Sequence, residues 1–160
     1  MSAVRGGGGC VVPAGARRRC DAADVACGAP GGCGGAAVTP KSRILVTGSR
    51  AWSDRARVEW ALGVAFRAFR PIVVVHGGCP TGADAMAAVW AQRAGVEVEA
   101  WPADWDRHGR AAGPIRNAQM VAAGARFCLA FVLPGSRGTA DCVRRAEASG
   151  IPVRRFEADR

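Results

Sequence analysis

The sequence contains no apolar run approaching the roughly 18 residues needed to span a bilayer, so no membrane partner is expected. Its N-terminus lacks the apolar stretch of about 7–15 residues that marks a secretory signal. The start is basic and poor in acids, but it has neither the serine content nor the amphipathic period of an organelle transit peptide. A cytoplasmic protein is the expectation. Close cysteine pairs are missing too: Cys10, Cys20, Cys27 and Cys33 are separated by nine, six and five residues. That is not the tight pairing of a structural zinc site. The seven cysteines make an odd total, which in a reducing compartment argues against a disulfide framework. Cys79, Cys128 and Cys142 are expected as small buried hydrophobes. No loop carries the G-K-S or G-K-T of a P-loop, and no loop fits G-x-G-x-x-G. Ordinary ATPase and NAD dehydrogenase chemistry is therefore not expected, and no cofactor is implied.

The first 40 residues hold ten of the 22 glycines and no aromatic residue. Such a stretch cannot bury enough apolar surface to offset the entropy of ordering it. Residues 1–42 read as a disordered tail, and the same composition fits a translation start placed too far upstream. Residues 43–160 read as one domain, with hydrophobic residues making up 49% of the whole chain, enough for a core. The formal charge of +9 suits anionic ligands in general without choosing among nucleotides, nucleic acid and acidic surfaces. Nearly all the basic groups are arginine, which suits bidentate phosphate contacts.

From Arg43 onward, short apolar runs alternate with segments of helical period. Ile44 to Val46 is a strand, and Asp54 is placed to cap a helix carrying Val58, Ala61, Leu62, Ala65, Phe66 and Phe69 at helical spacing. Ile72 to Val75 is apolar throughout, as in a parallel strand covered on both faces. A helix from about Gly82 to Arg93 follows, then a strand from Val96 to Ala100 and an irregular segment from Trp101 to Ala112. The remaining elements are a helix from Gly113 or Pro114 to Ala123, a strand from Phe127 to Leu133, a helix opened by Thr139, and a strand from Ile151 to Phe156. Five strands alternating with four helices predict a Rossmann-like α/β fold, a doubly wound parallel sheet in three α/β/α layers. Right-handed crossovers then gather the loops after the strands along one edge, where open α/β sheets bind ligands.

Three glycine-containing loops fall on that edge. They are Gly48-Ser49-Arg50, the run from Gly77 and Gly78 through Gly82 to Asp84, and Gly135-Ser136-Arg137-Gly138-Thr139. Glycine admits close approach of backbone amides, and a helix N-terminus adds unpaired N–H groups and partial positive charge. Three such loops together predict phosphate binding. Asp84 either stabilises its helix N-terminus or accepts hydrogen bonds from a ribose or base. His76 is a general base or, more in keeping with its isolation, a hydrogen-bonded structural histidine. In the segment 101–109, Trp105 either stacks on a base, with Asp104 as a polar contact, or the tryptophans plug the core edge. Arg116 and Asn117 are placed to face the binding edge, while Met120 packs inward. Asp141 and Cys142 are expected in the first turn of the last helix. Asp84, Asp104, Asp106 and His108 have no metal-ligand spacing, so no metal site is expected.

Taken together, V-T-G-S-R-A-W, H-G-G-C-P-T-G-A-D, W-P-A-D-W, A-G-P-I-R-N-A-Q-M and G-S-R-G-T-A-D resemble the YspA/YpsA-related branch of the SLOG superfamily over about residues 43–156. The resemblance implies a domain that binds a nucleotide or nucleotide derivative. Relatives of that branch include DprA and the LONELY GUY phosphoribohydrolases, which split a base from a nucleoside monophosphate. Those hydrolases carry P-G-G-x-G-T-x-x-E where this chain has Pro134 to Cys142, so their catalytic glutamate corresponds to Cys142, with Asp141 adjacent. Their catalytic arginine, in an R-K pair, corresponds to Arg116-Asn117. Three expectations follow. The first is a nucleotide-binding sensor or processing module using the three loops with Arg50, Arg116, Asp104 and Trp105. The second is a nucleotide N-glycoside hydrolase using Arg116 with Asp84, Asp104 or Asp141, since such cleavage needs a carboxylate. The third is single-stranded DNA binding in the manner of DprA, for which charge is the only direct support. Related proteins often dimerise, so the resemblance also raises a homodimer.

Overall fold

A computed structural model describes residues 40–158. Its elements run β1 (Ser42–Gly48), α1 (Arg55–Phe69), β2 (Ile72–His76), α2 (Gly82–Arg93), β3 (Glu97–Ala100), α3 (Trp105–His108), a 3-10 turn (Gly109–Ala111), α4 (Ala112–Ala122), β4 (Phe127–Val132), α5 (Arg137–Ala148) and β5 (Val153–Glu157). Of the tail expected over 1–42, residues 1–39 lie outside the described residues. Ser42 already belongs to β1, paired with Ile72.

The five strands form one parallel sheet in the order β3-β2-β1-β4-β5. The alternating α/β fold expected from the sequence is therefore present. β2 is buried along its whole length, which is why its sequence shows no polar alternation. Side chains alternate across the sheet and build two cores. Ile44, Val46, Val74, Leu129 and Phe131 face Val58, Leu62 and Ala65 of α1 and Ala83, Ala87 and Ala91 of α2. Leu45, Val75 and Cys128 face Met120 and Val121 of α4 and Cys142 and Ala146 of α5. Thus α1 and α2 cover one face and α4 and α5 the other.

The chain winds outward from β1 through β2 to β3, then returns to the other side of β1 and winds outward through β4 to β5. The reversal puts a topological switch point between the carboxyl ends of β1 and β4, the place where open α/β sheets leave a crevice.

Asp54 caps α1, its carboxylate accepting from the Arg57 N–H at 2.9 Å. Several boundaries differ from the expectation. The segment 101–112 is not irregular: Asp104 accepts from the Arg107 N–H at 3.0 Å and nucleates the short helix α3. α5 opens at Arg137 rather than Thr139, because Ser136 takes the N-cap position. Gly138 and Thr139 therefore lie inside the first turn, and Asp141 lies beyond it. Cys128 and Cys142 are buried as expected, whereas Cys79 is only half-buried, because it sits on a loop.

Candidate functional site

The carboxyl edge carries a cleft of about 1100 Å³. Its wall is formed by the loops after β1, β2, β3 and β4 and by the start of α4. Of the residues singled out from sequence, Gly48, Ser49, Arg50, Gly77, Gly78, Asp84, Trp105, Arg116, Asn117, Gly135, Ser136, Gly138, Thr139 and Asp141 line it. Asp104 and Gly82 do not. Asp104 is exposed and its carboxylate is spent on capping α3. Gly82 serves the architecture instead: its φ is +69°, and a Cβ there would stand 2.1 Å from the Ser49 carbonyl oxygen. Arg110 and Arg137 also line the cleft. Arg137 stood inside a quoted motif, but nothing in the sequence set these two apart from the many other arginines.

The three glycine loops are not equivalent. Ser49 is occupied in holding its own loop: its N–H donates to the Phe131 carbonyl at 3.0 Å, and its carbonyl accepts from Trp52 at 3.1 Å and Ala83 at 3.4 Å. That last bond consumes an amide of the first turn of α2. In the loop after β2, the Gly78 N–H donates to His76 Nδ1 at 3.0 Å and the Cys79 N–H donates to Asp84 Oδ2 at 3.3 Å. The loop after β4 is different. No side chain caps α5, so the N–H groups of Gly138 and Thr139 stand where a helix has no internal acceptor to offer them. Nothing lies within 4 Å of where a Gly138 Cβ would be. By contrast, α1 and α3 are capped by Asp54 and Asp104; α2 and α4 also lack a side-chain cap, but the Ala83 amide of α2 is taken by Ser49.

Arg116 ties the cleft floor together. Its guanidinium donates to the Gly77 carbonyl and, at 3.3 Å, to the Trp101 carbonyl. Its Nε donates to Asn117 Oδ1 at 3.0 Å. A Cβ on Gly77 would fall 1.6 Å from Arg116 Nη1, so only glycine leaves the guanidinium this position. Asn117 is buried and extends the chain of bonds, its Nδ2 donating to the Gly138 carbonyl and to Asp141 Oδ2, each at 3.2 Å. One connected network thus runs from the end of β2 to the N-terminus of α5.

The two carboxylates in the wall have opposite characters. Burial alone would raise Asp141, but hydrogen bonds from Arg145, Asn117 and Arg144 outweigh it and hold its pKa below 3.8. Arg144 and Arg145 approach it at 2.5 and 2.8 Å. Asp141 thus stabilises the fold at neutral pH, and this contribution is lost as pH falls from 3.8 through the lower folded value. Asp141→Asn is expected to cost about 1 kcal/mol at pH 7, because Arg144 is largely exposed and solvent screens the pair. Denaturant melts of both proteins should converge as pH falls from about 7 toward about 2.

Asp84 behaves in the other sense. It is 6% exposed, and burial lifts its pKa against the opposing pull of His76, the Cys79 and Gly77 amides and Arg116. His76 is lowered, first by burial and then by Arg116, with Asp84 pulling the other way. Because His76 Nδ1 accepts from Gly78, the ring proton belongs on Nε2, which is buried without a hydrogen-bond partner. The structural role expected for His76 accounts for its Nδ1 bond.

At the cleft mouth Trp105 is 50% exposed, with the Arg50 guanidinium 5.6 Å from its ring centroid. Trp105 does not plug the core edge, whereas Trp101 is partly buried against the core of Leu45, Val75 and Met120, so that expectation holds for one of the two tryptophans. Cys142, in the position matching a hydrolase glutamate, is fully buried in the core beneath α5, where burial raises its pKa and the Thr47 hydroxyl bonds to it. It is not available to a ligand. No group of three or more metal-binding side chains occurs among the described residues, and none of the described helices is long and apolar enough to cross a membrane. A second groove of about 630 Å³, lined by Arg57, Trp60, Arg154, Arg155, Phe156 and Glu157, involves α1 and β5. It contains no glycine loop, and the α1 N-terminus at its edge is capped by Asp54.

A parallel α/β sheet with a cleft at its switch point defines a domain of the Rossmann-like class. The chain belongs to the YspA, cpYpsA-related SLOG family, whose model matches residues 42–108, and membership suggests nucleotide-related binding or processing. It is also 48% identical over 120 residues to the Gene 61 protein of Mycobacterium phage D29, an alignment covering 71% of this chain and 95% of the phage protein.

Proposed function

We propose that the cleft binds a nucleotide or nucleotide derivative, with a phosphate group seated on the Gly138 and Thr139 amides of α5. The observation that carries this reading is the uncapped first turn of α5, opening on a cleft of about 1100 Å³. A helix N-terminus of this kind offers directed N–H donors and partial positive charge to an anion. Arg116 supports the seat through Asn117, and Arg50 and Arg137 add positive charge at the wall. Trp105 offers a π face on which a base can stack, a contact of about 1–3 kcal/mol per base. Three free cysteines among the described residues suit the reducing cytoplasm expected from the sequence.

A second reading, hydrolysis of a nucleotide N-glycosidic bond, draws on one specific observation. Asp84 is a buried carboxyl of raised pKa within the electrostatic reach of Arg116, on the wall of the same cleft. Asp141, kept ionised by two arginines, is the poorer proton carrier.

The test uses the full chain with nucleoside monophosphates and ADP-ribose, reading thermal stabilisation and base release together. Stabilisation without release supports the binding reading, and release abolished by Arg116→Ala supports the hydrolase. In either case Arg116→Ala is expected to weaken binding by about 10–100-fold, the effect of removing a charge-assisted contact network. Unchanged binding in that variant contradicts the role given to Arg116.

A further inference from the structure

The two carboxylates of the cleft wall differ in their remaining capacity to accept hydrogen bonds. Asp141 receives Arg144, Arg145 and Asn117, so its oxygens are committed. Asp84 makes no ion pair among the described residues. Its Oδ2 receives the Cys79 N–H at 3.3 Å, and the Gly77 amide is its other donor. An ionised carboxylate has about four acceptor sites. Two amides leave about half of them to be filled, on a group that is 6% exposed. A buried acceptor in that condition is costly unless something supplies the missing donors.

We propose that Asp84 reads the vicinal hydroxyls of a ribose, so that the cleft selects ribose-bearing phosphates over their 2-deoxy counterparts. This rests on the phosphate seat proposed above. Two adjacent O–H groups are the donor pair that a half-satisfied carboxylate accepts, and a ribose 5-phosphate carries them a few bonds from its phosphate. The floor network connects the two ends of the site: Asp84 lies near Arg116, Arg116 bonds Asn117, and Asn117 bonds the Gly138 carbonyl. The charged and titratable groups facing Asp84 are His76 at the end of β2, Arg116 on α4 and the buried thiol of Cys142 on α5. Burial raises the pKa of Asp84, so its carboxylate is protonated at a higher pH than that of a free aspartate, and the selectivity weakens as it is protonated.

A site built to bond a hydroxyl discriminates strongly against an analogue that lacks it, because its own polar group is then left unpaired. Calorimetric titration of the full chain with ribose 5-phosphate, 2-deoxyribose 5-phosphate and inorganic phosphate tests this. Wild-type protein is expected to prefer ribose 5-phosphate over the deoxy sugar by at least about tenfold. Asp84→Ala, which deletes the acceptor, should bring that ratio to within about twofold while inorganic phosphate still binds. Asp84→Asn keeps the side-chain shape and should reduce the ratio partially, which covers the case in which the alanine variant does not fold. Equal binding of the two sugars by wild type, or a ratio that survives Asp84→Ala, overturns the ribose assignment and leaves the phosphate seat standing. Failure of all three probes to bind overturns the phosphate seat, and the ribose assignment with it.

Discussion

Gly138→Asp is expected to weaken binding of phosphate-bearing ligands by roughly 100-fold while leaving the melting temperature unchanged or slightly raised. Gly138 lies in the first turn of α5, lines the cleft, and has open space where a Cβ would project. A side chain there meets nothing, so the fold has no steric reason to fail. An acidic group in a first turn also complements the helix dipole by about 0.3–1 kcal/mol. The same carboxylate, however, occupies the place and the charge of the proposed ligand. Two unit charges about 4 Å apart at the effective dielectric of a protein surface repel by about 4 kcal/mol. Gly138 is exposed, so screening reduces this figure, and a loss of roughly 100-fold is the expected result. Gly138→Ala keeps the backbone N–H and adds no charge, so it should retain most of the affinity. Titration and thermal melting of the two variants side by side separate charge from size. Normal phosphate binding by Gly138→Asp would remove α5 from the site.

Gly82→Ala has the opposite signature, a large loss of stability. Gly82 holds a φ of +69°, and a Cβ there would lie 2.1 Å from the Ser49 carbonyl oxygen and 2.8 Å from two backbone carbons of Arg50. The left-handed conformation alone costs a non-glycine residue about 1–2 kcal/mol. The clash is with backbone, which cannot swing aside as a side chain would. Relief requires separating the loop after β1 from the start of α2, breaking the Ala83 to Ser49 bond and opening the packing beneath it. The sum is expected to exceed about 3 kcal/mol, lowering Tm by more than about 10 °C in a domain of this size. Gly95 is the control: its φ is +64°, but nothing lies within 4 Å of its Cβ position, so Gly95→Ala should incur only the conformational part. Similar Tm losses in the two variants would mean that the contact between the loop and α2 is not rigid.

The alternation of strands and helices was legible because β1, β2 and β4 each contain an unbroken apolar run, and glycine, proline or aspartate marks the ends of most helices. β2 shows this best, with five buried residues in a row followed by a glycine turn. The capping of α1 by Asp54 was legible from the same rule that was not applied to Asp104. An aspartate three residues before an amide it caps stands in both places, and Asp104 was instead given to the ligand.

Among the site residues, sequence located the loops but could not rank them. Whether an amide is open or spent depends on partners distant in the chain: Ser49 meets Phe131 and Ala83, and Arg116 meets Gly77. Asp84 and Asp141 looked interchangeable as carboxylates near helix starts. They differ because Arg144 and Arg145 follow Asp141 at helical spacing, while Asp84 is followed by apolar residues of its own helix. The spacing of three and four residues between Asp141 and those arginines was readable as a pairing that withdraws Asp141 from chemistry.

The central claim is that a phosphate sits on the first turn of α5. Amide chemical shifts in the full, nitrogen-labelled chain, followed while adenosine 5′-monophosphate and then adenosine are titrated in, test it most directly. The Gly138 and Thr139 amides are expected to move furthest and saturate with the monophosphate, and barely to respond to the nucleoside. Shifts concentrated on residues around Trp60 and Arg154, or equal responses of Gly138 and Thr139 to both compounds, would contradict it.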